Sequence, residues 1–251
     1  MSRYNGFIWL LVLLPALLIL QQKLHREIQS IILLLTRRIG VTIVLYSLLF
    51  FPGVVLHEFS HWLMAKVVGV PTGRFSLFPR QIDEGRIRLG YVETAKTDLL
   101  RDALIGAAPL FAGGIVIAFI SWKYLGISQL WGSLSVDGWD GWGEAIQHVL
   151  RQPDFWLWFY LIFAVSSTMF PSRSDWHAWP PLFVVVFVLL LLSVVAGAGP
   201  WLAEHLAPRL NALMEIFALI LGVSLGIHLV LFIPFYFGRL AVSRITGLKV
   251  V

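Results

Sequence analysis

The chain has 251 residues, of which 58% are hydrophobic and only 13% are charged. Soluble domains carry about 25% charged residues, so this composition excludes a disordered chain and argues against a soluble globular domain. The absence of cysteine excludes disulfides, cysteine-ligated zinc and thiol catalysis. The excess of 19 Lys and Arg over 14 Asp and Glu is more typical of cytoplasmic loops in a membrane protein than of nucleic-acid binding. We therefore expect the lipid bilayer as a partner and no nucleic acid.

Successive apolar segments predict an all-α polytopic membrane protein with about six transmembrane helices, since one span needs about 20 mostly apolar residues. Residues 7–20 are apolar but short and contain Pro15, which indicates an uncleaved anchor. Residues 22–38 mix charge with Ile and Leu, which indicates a helix in the membrane interface. The other predicted spans are residues 39–68, 103–125, 155–171, 180–199 and 212–237.

The distribution of Lys and Arg predicts the sidedness of the loops. The 71–101 loop and the C-terminal tail are rich in these residues, whereas the 126–153 loop holds only Arg151 and the 200–211 loop only Arg209. The positive-inside rule therefore places the 71–101 loop and the tail in the cytoplasm. Successive spans cross the membrane in alternating directions. This alternation would place four basic residues before the second span outside, where they fit badly: Lys23, Arg26, Arg37 and Arg38. Either the first segment does not cross fully, or these residues lie at the outer headgroups.

The second predicted span contains a charged cluster, in which His57, Glu58 and His61 form an H-E-x-x-H motif. Positions i and i+4 share one face of a helix, so both histidines can reach one metal ion. Glu58 lies beside them, where it can take a proton from an attacking water. Zinc suits such ligands in a site with one open position. The alternative is a chance pattern, but ionisable groups at membrane depth are costly and usually functional.

A catalytic zinc site has three protein ligands, so the chain should supply a third. Asp175 follows the fourth predicted span, on the side of the membrane where the second span also ends. His177 is its main rival, and we interpret it as an interfacial histidine. His228 lies deep in the last span without a carboxylate nearby in sequence. We therefore predict that Asp175 completes a zinc site with the two histidines.

These motifs resemble those of the site-2 protease family of intramembrane zinc metalloproteases. In that family the H-E-x-x-H span is followed by a strand-rich loop, a middle span, and an Asp after a further span. Its second motif is an Asn, Pro-rich residues and Leu-Asp-Gly, whose Asp is the third zinc ligand. Aligned without a gap, Asp175 takes the Asp position, Ser167 the Asn position and Trp176 the Gly position. The family's Gly-Pro-x-x-Asn turn is matched only at Pro109, in GAAPLFAGG.

The resemblance implies a zinc endopeptidase that cuts in or near the transmembrane segments of membrane proteins. It covers residues 39–180 as a three-span metalloprotease core. Residues 1–38 then form an N-terminal anchor with an interfacial helix, and residues 181–251 form two additional spans with a basic cytoplasmic tail. Two alternatives remain open: a non-catalytic subunit or scaffold of a larger membrane complex, and a metal-dependent enzyme that acts on a non-peptide bond.

Residues 74–94 alternate polar and apolar side chains around a turn signal at 83–85, which predicts a small cytoplasmic β-hairpin after the H-E-x-x-H helix. A helical peptide hides its carbonyls in hydrogen bonds, so a protease must bind its substrate in an extended form. A sheet edge can do this by strand addition, and the resemblance implies such an edge here. The alternative is a plain surface hairpin. We expect a membrane-protein substrate to bind this loop as an extended strand.

Overall fold

The computed structural model describes residues 5–78, 80–82, 86–127, 142–172 and 174–248. The predicted helical character is confirmed, with one small region of antiparallel sheet. The helices are α1 (Asn5–Thr36), α2 (Ile39–Leu49), α3 (Phe51–Val67), α4 (Leu99–Lys123), α5 (Trp142–Leu150), α6 (Phe155–Thr168), α7 (Trp179–Ser193) and α8 (Ala207–Thr246). Two π-helical stretches, Val194–Ala198 and Leu202–Leu206, connect α7 to α8 around Gly199–Trp201.

Among the described residues, three helical stretches are long and apolar enough to cross a membrane: Asn5–Thr36, Leu99–Lys123 and Trp179–Thr246. The bent pair α2 and α3 raises this number to four if it forms a single span. Helix α6 is apolar but shorter than these. The chain therefore has the helices of a membrane protein, although fewer long spans than the six predicted. One reason is that residues 180–237 form one bent helical stretch, with Gly197 at φ 90° in the bend.

Helix α1 is continuous, so it joins the predicted anchor and the predicted interfacial helix into one element. It lies along α8 in the same direction. Near the start of both helices the Gly6 amide donates to Asn211 Oδ1 at 2.9 Å, and further along Glu27 pairs with Arg239. The basic residues that end α1 therefore lie at the same end of this helix pair as the basic residues of the C-terminal tail. The two groups therefore share one side of the membrane if both helices cross it.

The predicted 39–68 span is broken between α2 and α3, which are bent by 71°. Pro52 lacks the N–H that would continue the helical hydrogen bonds of α2, and it is well suited to the first turn of a new helix. The carbonyl of Leu49 at the break accepts a hydrogen bond from Tyr160 Oη of α6 at 3.0 Å. The break therefore directs α3, with its motif, along α6.

Glycines allow α3 and α4 to approach the end of α6 closely. A Cβ atom on Gly53 of α3 would overlap the carbonyl oxygen of Ala164 in α6. A Cβ atom on Gly106 of α4 would lie 2.5 Å from the carbonyl oxygen of Asp175. Larger side chains at these two glycines would separate the backbones. The end of α6 and the loop that follows it are thus held against both α3 and α4.

The sheet lies directly after α3, where the sequence predicts a hairpin. Strand β1 (Thr72–Ser76) pairs antiparallel with β4 (Tyr91–Thr94), and β2 (Arg80–Ile82) pairs antiparallel with β3 (Arg86–Arg88). The second ladder is nested between the strands of the first, so the four strands follow the course of one long hairpin. The predicted turn at 83–85 lies outside the described residues.

Candidate metal centre

The structure brings three of the predicted site residues together. Helix α3 presents His57 and His61, and the loop after α6 presents Asp175 beside them. The two Nε2 atoms lie 3.2 Å apart. Asp175 Oδ2 lies 3.6 Å from Nε2 of His61 and 4.0 Å from Nε2 of His57. A single ion could contact all three side chains, which is the arrangement expected from the i, i+4 spacing.

Backbone carbonyls orient both imidazoles. His57 Nδ1 lies 2.6 Å from the carbonyl oxygen of Thr168, and His61 Nδ1 lies 2.8 Å from that of Ile105. Because a carbonyl oxygen only accepts, each Nδ1 must carry the hydrogen and donate it. Each neutral imidazole then has its lone pair on Nε2, and these lone pairs face each other. Such an arrangement is unfavourable without a cation or a proton between the rings, and it is the tautomer pattern of metal-ligating histidines.

The donor set fits zinc. Around a tetrahedral zinc with ligand distances of about 2.0–2.1 Å, the ligand atoms lie about 3.3 Å apart. The two histidine nitrogens, at 3.2 Å, already have this spacing, while the carboxylate distances of 3.6 and 4.0 Å are slightly larger. A small rotation of the Asp175 carboxylate would close the difference. The residues fit the ion, and zinc binding itself stays a prediction.

The loop after α6 holds the Asp175 carboxylate in its ionised form. Burial by itself would raise the pKa of Asp175, but in the metal-free protein a proton on His61 Nε2 and the hydrogen bond from Ser172 hold that pKa below its usual range. The Ser172 amide donates to Asp175 Oδ2 at 2.7 Å. A carboxylate that stays ionised near neutral pH can act as a metal ligand without first losing a proton.

His177, the rival third ligand, is directed elsewhere. Its Nε2 lies 2.6 Å from Asp102 Oδ2 of α4, and its Nδ1 donates to the carbonyl oxygen of Ser174 at 2.6 Å. The side chain is 68% exposed. Both ring nitrogens of His177 are therefore engaged away from the two histidines of α3. The geometry favours Asp175 as the residue that completes the group.

Glu58 lies next to this group and is buried, with 7% of its surface exposed. The Glu58 side chain contacts Gly90, the residue that precedes β4. A Cβ atom on Gly90 would lie 2.7 Å from Glu58 Cγ and 3.0 Å from Oε1. Only glycine allows the sheet to approach Glu58 this closely. The predicted base and the predicted substrate-binding loop are thus in direct contact.

A cavity of about 470 Å³ adjoins the metal-ligand group. Its walls come from α1, α3, the sheet, the start of α4, the end of α6 and the loop that follows. The cavity gives Glu58 and the three candidate ligands a common space in which a substrate could lie. Its lining includes Gln21, His25, Leu89, Val92 and Ser167.

The hydroxyl of Ser167, at the position aligned with the family's Asn, forms a hydrogen bond with His228. His228 Nδ1 donates to the carbonyl oxygen of Ser224 at 2.8 Å, so His228 Nε2 is an acceptor. The Ser167 hydroxyl donates to that nitrogen at 3.2 Å. The fully buried His228 therefore forms a polar contact between α6 and α8.

Gln21 and His25 are not among the residues that the sequence singles out, because His25 falls in the 22–38 segment interpreted as an interfacial helix and Gln21 lies just before it. Both side chains line the cavity. The available signal was their i, i+4 spacing, which places both polar side chains on one face of α1.

No protein-family model, curated protein or solved structure matches the chain. A function for this protein therefore has to be argued from its own residues and their geometry.

Proposed function

We propose that the protein is an intramembrane zinc metalloprotease that hydrolyses peptide bonds in or near the transmembrane segments of other membrane proteins. The observation that carries this proposal is the meeting of two histidine Nε2 atoms and one carboxylate beside a buried glutamate, within a bundle of apolar helices. Two histidines and a carboxylate with a neighbouring general base form the residue set of hydrolytic zinc sites. The placement among apolar helices favours a membrane-embedded substrate.

When bound, zinc would supply Lewis-acid chemistry by polarising the scissile carbonyl and by making the attacking water more acidic. Glu58 takes the proton of that water and then delivers it to the leaving amine. His57 and His61 would hold the ion through Nε2, since backbone carbonyls fix the orientation of both rings. Asp175 contributes the negative charge that partly neutralises a divalent ion in a medium of low dielectric.

Strand β4 supports binding of the substrate in an extended form. In the described part of the chain, β4 pairs only with β1, so its other side borders no further strand. Val92 and Thr94 of β4 line the cavity together with the metal-ligand group. Glu58 contacts Gly90, the residue that precedes β4, so a substrate strand added to β4 would pass close to Glu58. We infer that unwound substrate segments bind along this strand.

Removal of the metal tests the proposal. The purified protein in lipid nanodiscs, incubated with single-span membrane proteins, is expected to produce cleavage fragments. Incubation with 1,10-phenanthroline should abolish cleavage, because the site loses its Lewis acid, and added zinc should restore it. Mass spectrometry of the fragments locates the cut. Full activity after complete metal removal would contradict a zinc mechanism, whereas a protein that binds zinc but cleaves none of these substrates would favour the non-catalytic subunit.

We place the active site toward the cytoplasm of a multi-pass protein, in the cell membrane. The support is the clustering of Lys and Arg in the 71–101 loop, at the end of α1 and in the C-terminal tail. The parallel course of α1 and α8 gives the last two groups the same sidedness. This placement requires α2 and α3 to form a re-entrant pair, since the end of α1 and the sheet then lie on one side.

Single cysteines can test this topology, because the chain contains none of its own. Arg37→Cys, Lys96→Cys and Arg244→Cys are expected to react with a membrane-impermeant maleimide only from the cytoplasmic face. Gln147→Cys, in helix α5 between α4 and α6, should react only from the outer face. All four positions are exposed. Labelling of Lys96→Cys and Arg244→Cys from opposite faces would contradict the proposed sidedness.

A further inference from the structure

Two side chains of α1 have polar atoms that the fold leaves unsatisfied. Gln21 Oε1 and His25 Nε2 are buried and have no hydrogen-bond partner among the described residues. The carboxamide of Gln21 is fixed, because its Nε2 donates to the carbonyl oxygen of Ser167 at 2.6 Å. The two side chains are four residues apart on one helix face and line the cavity that holds the metal-ligand group.

Packing alone does not explain a histidine at position 25. Its ring lies against two aromatic rings, with centroid distances of 4.8 Å to Phe50 and 6.0 Å to Tyr46. An apolar side chain would suit these neighbours, and it would avoid the cost of an unpaired buried nitrogen. A polar side chain without a partner inside a cavity indicates that the partner is a ligand.

The chemistry of an extended strand identifies this ligand. Such a strand carries N–H and C=O groups along both of its edges. Pairing with β4 satisfies one edge, whereas the other edge remains in a cavity among apolar helices, where unpaired main-chain groups are strongly unfavourable. Gln21 Oε1 can accept from a main-chain N–H. His25 Nε2 can donate or accept according to its tautomer.

We propose that Gln21 and His25 form a polar subsite that hydrogen-bonds the main chain of the substrate along the edge that β4 does not pair. The proposal rests on the proposed protease function and names both side chains as positioning residues for an unwound membrane segment. Main-chain recognition selects for a segment that can leave the helical conformation rather than for a particular side chain. The favoured substrates are therefore transmembrane segments with a helix-weakening sequence near the cut.

The test uses a dye-labelled peptide of about 20 mainly leucine residues with a central Asn-Gly pair, which weakens the helix. Binding is measured by fluorescence anisotropy in nanodiscs, with every protein carrying Glu58→Gln so that the peptide is not consumed. His25→Phe and Gln21→Met are each expected to raise the Kd about tenfold. Zinc content should not change, and the melting temperature of His25→Phe should hold or rise because an unpaired polar atom is removed.

Matched substitutions outside the cavity serve as controls. Gln22→Met changes the next, exposed residue of α1, and His205→Phe changes an exposed histidine near the start of α8. Both are expected to bind the peptide like the parent protein. In the protein with Glu58 restored, His25→Phe should raise KM for the same peptide while kcat stays within about twofold.

The outcomes separate this subsite from the protease proposal. An unchanged Kd in both His25→Phe and Gln21→Met, each combined with Glu58→Gln, overturns the subsite, even if the wild-type protein cleaves the peptide. A joint loss of melting temperature and zinc in His25→Phe also overturns it, because the histidine would then be structural. Tenfold weaker binding in a protein that shows no zinc-dependent cleavage supports the subsite and contradicts the protease. If the parent protein does not bind the peptide, the subsite is wrong.

Discussion

Replacing Glu58 with glutamine is expected to lower peptide-bond cleavage about 10²–10⁴-fold, the range that general acid–base catalysis contributes. The amide is close in size to the carboxylate, but it cannot take a proton from water. Because Glu58 is buried, a neutral side chain should not cost the fold more than the charged one does. The variant should therefore fold, keep its zinc and still bind substrate while product formation is lost. Cleavage assays and zinc stoichiometry on the same sample measure both expectations.

Glu144→Gln provides the matched control for Glu58→Gln. Glu144 lies in α5 and is exposed, so the same change in chemistry occurs outside the cavity. This control should retain full activity. If Glu58→Gln cleaves at the wild-type rate while zinc is bound, Glu58 is not the base and the proposed mechanism fails. If neither protein cleaves any membrane substrate although both bind zinc, the scaffold becomes the better explanation.

The sequence was most informative where local geometry decides the outcome. The i, i+4 spacing of His57 and His61 predicts a shared helix face, and the structure places their Nε2 atoms 3.2 Å apart. The polar and apolar alternation of residues 74–94 predicts the paired strands after α3. In both cases the neighbours along the chain carry the signal. Local spacing does not predict the contact of Asp175 with these histidines, since it joins residues more than a hundred positions apart. That prediction came from the sidedness of the spans and from the family resemblance.

The structure differed from the sequence prediction where tertiary packing decides. Periodicity does not show that residues 22–38 continue α1, because an interfacial helix and a buried helix can both mix charges with leucines. Here Glu27 is paired with Arg239 of α8, which lets a charged side chain lie between two packed helices. The break in the 39–68 segment has a local cause in Pro52, whereas the hydrogen bond from Tyr160 to Leu49 at the break joins residues far apart in sequence. Sequence spacing alone does not contain that information.

Substituting Asp175 with alanine is expected to lower the zinc affinity at least about 100-fold, since loss of even an outer partner of a metal ligand costs 10–100-fold. The alanine variant removes the only carboxylate in the group of three and leaves two imidazoles to hold the ion. His177→Ala should keep wild-type zinc content, because that ring faces Asp102 and is largely exposed. Removing such an exposed pair costs about 0–1 kcal/mol of stability. Zinc per protein, measured after dialysis at a fixed free zinc concentration, distinguishes the two variants.

Asp175→Asn separates ligation from the structural role of the loop. Its amide oxygen can still accept the hydrogen bond from the Ser172 amide, so the turn after α6 should stay in place. The neutral amide is a much weaker zinc ligand and no longer offsets the charge of the ion. We therefore expect Asp175→Asn to lose zinc while its melting temperature in the metal-free state matches that of the wild type. Full zinc content in Asp175→Asn together with its loss in His177→Ala would transfer the third ligand to His177. That result would require the loop to turn its other face toward α3, against the contact that Gly106 of α4 makes with the Asp175 backbone.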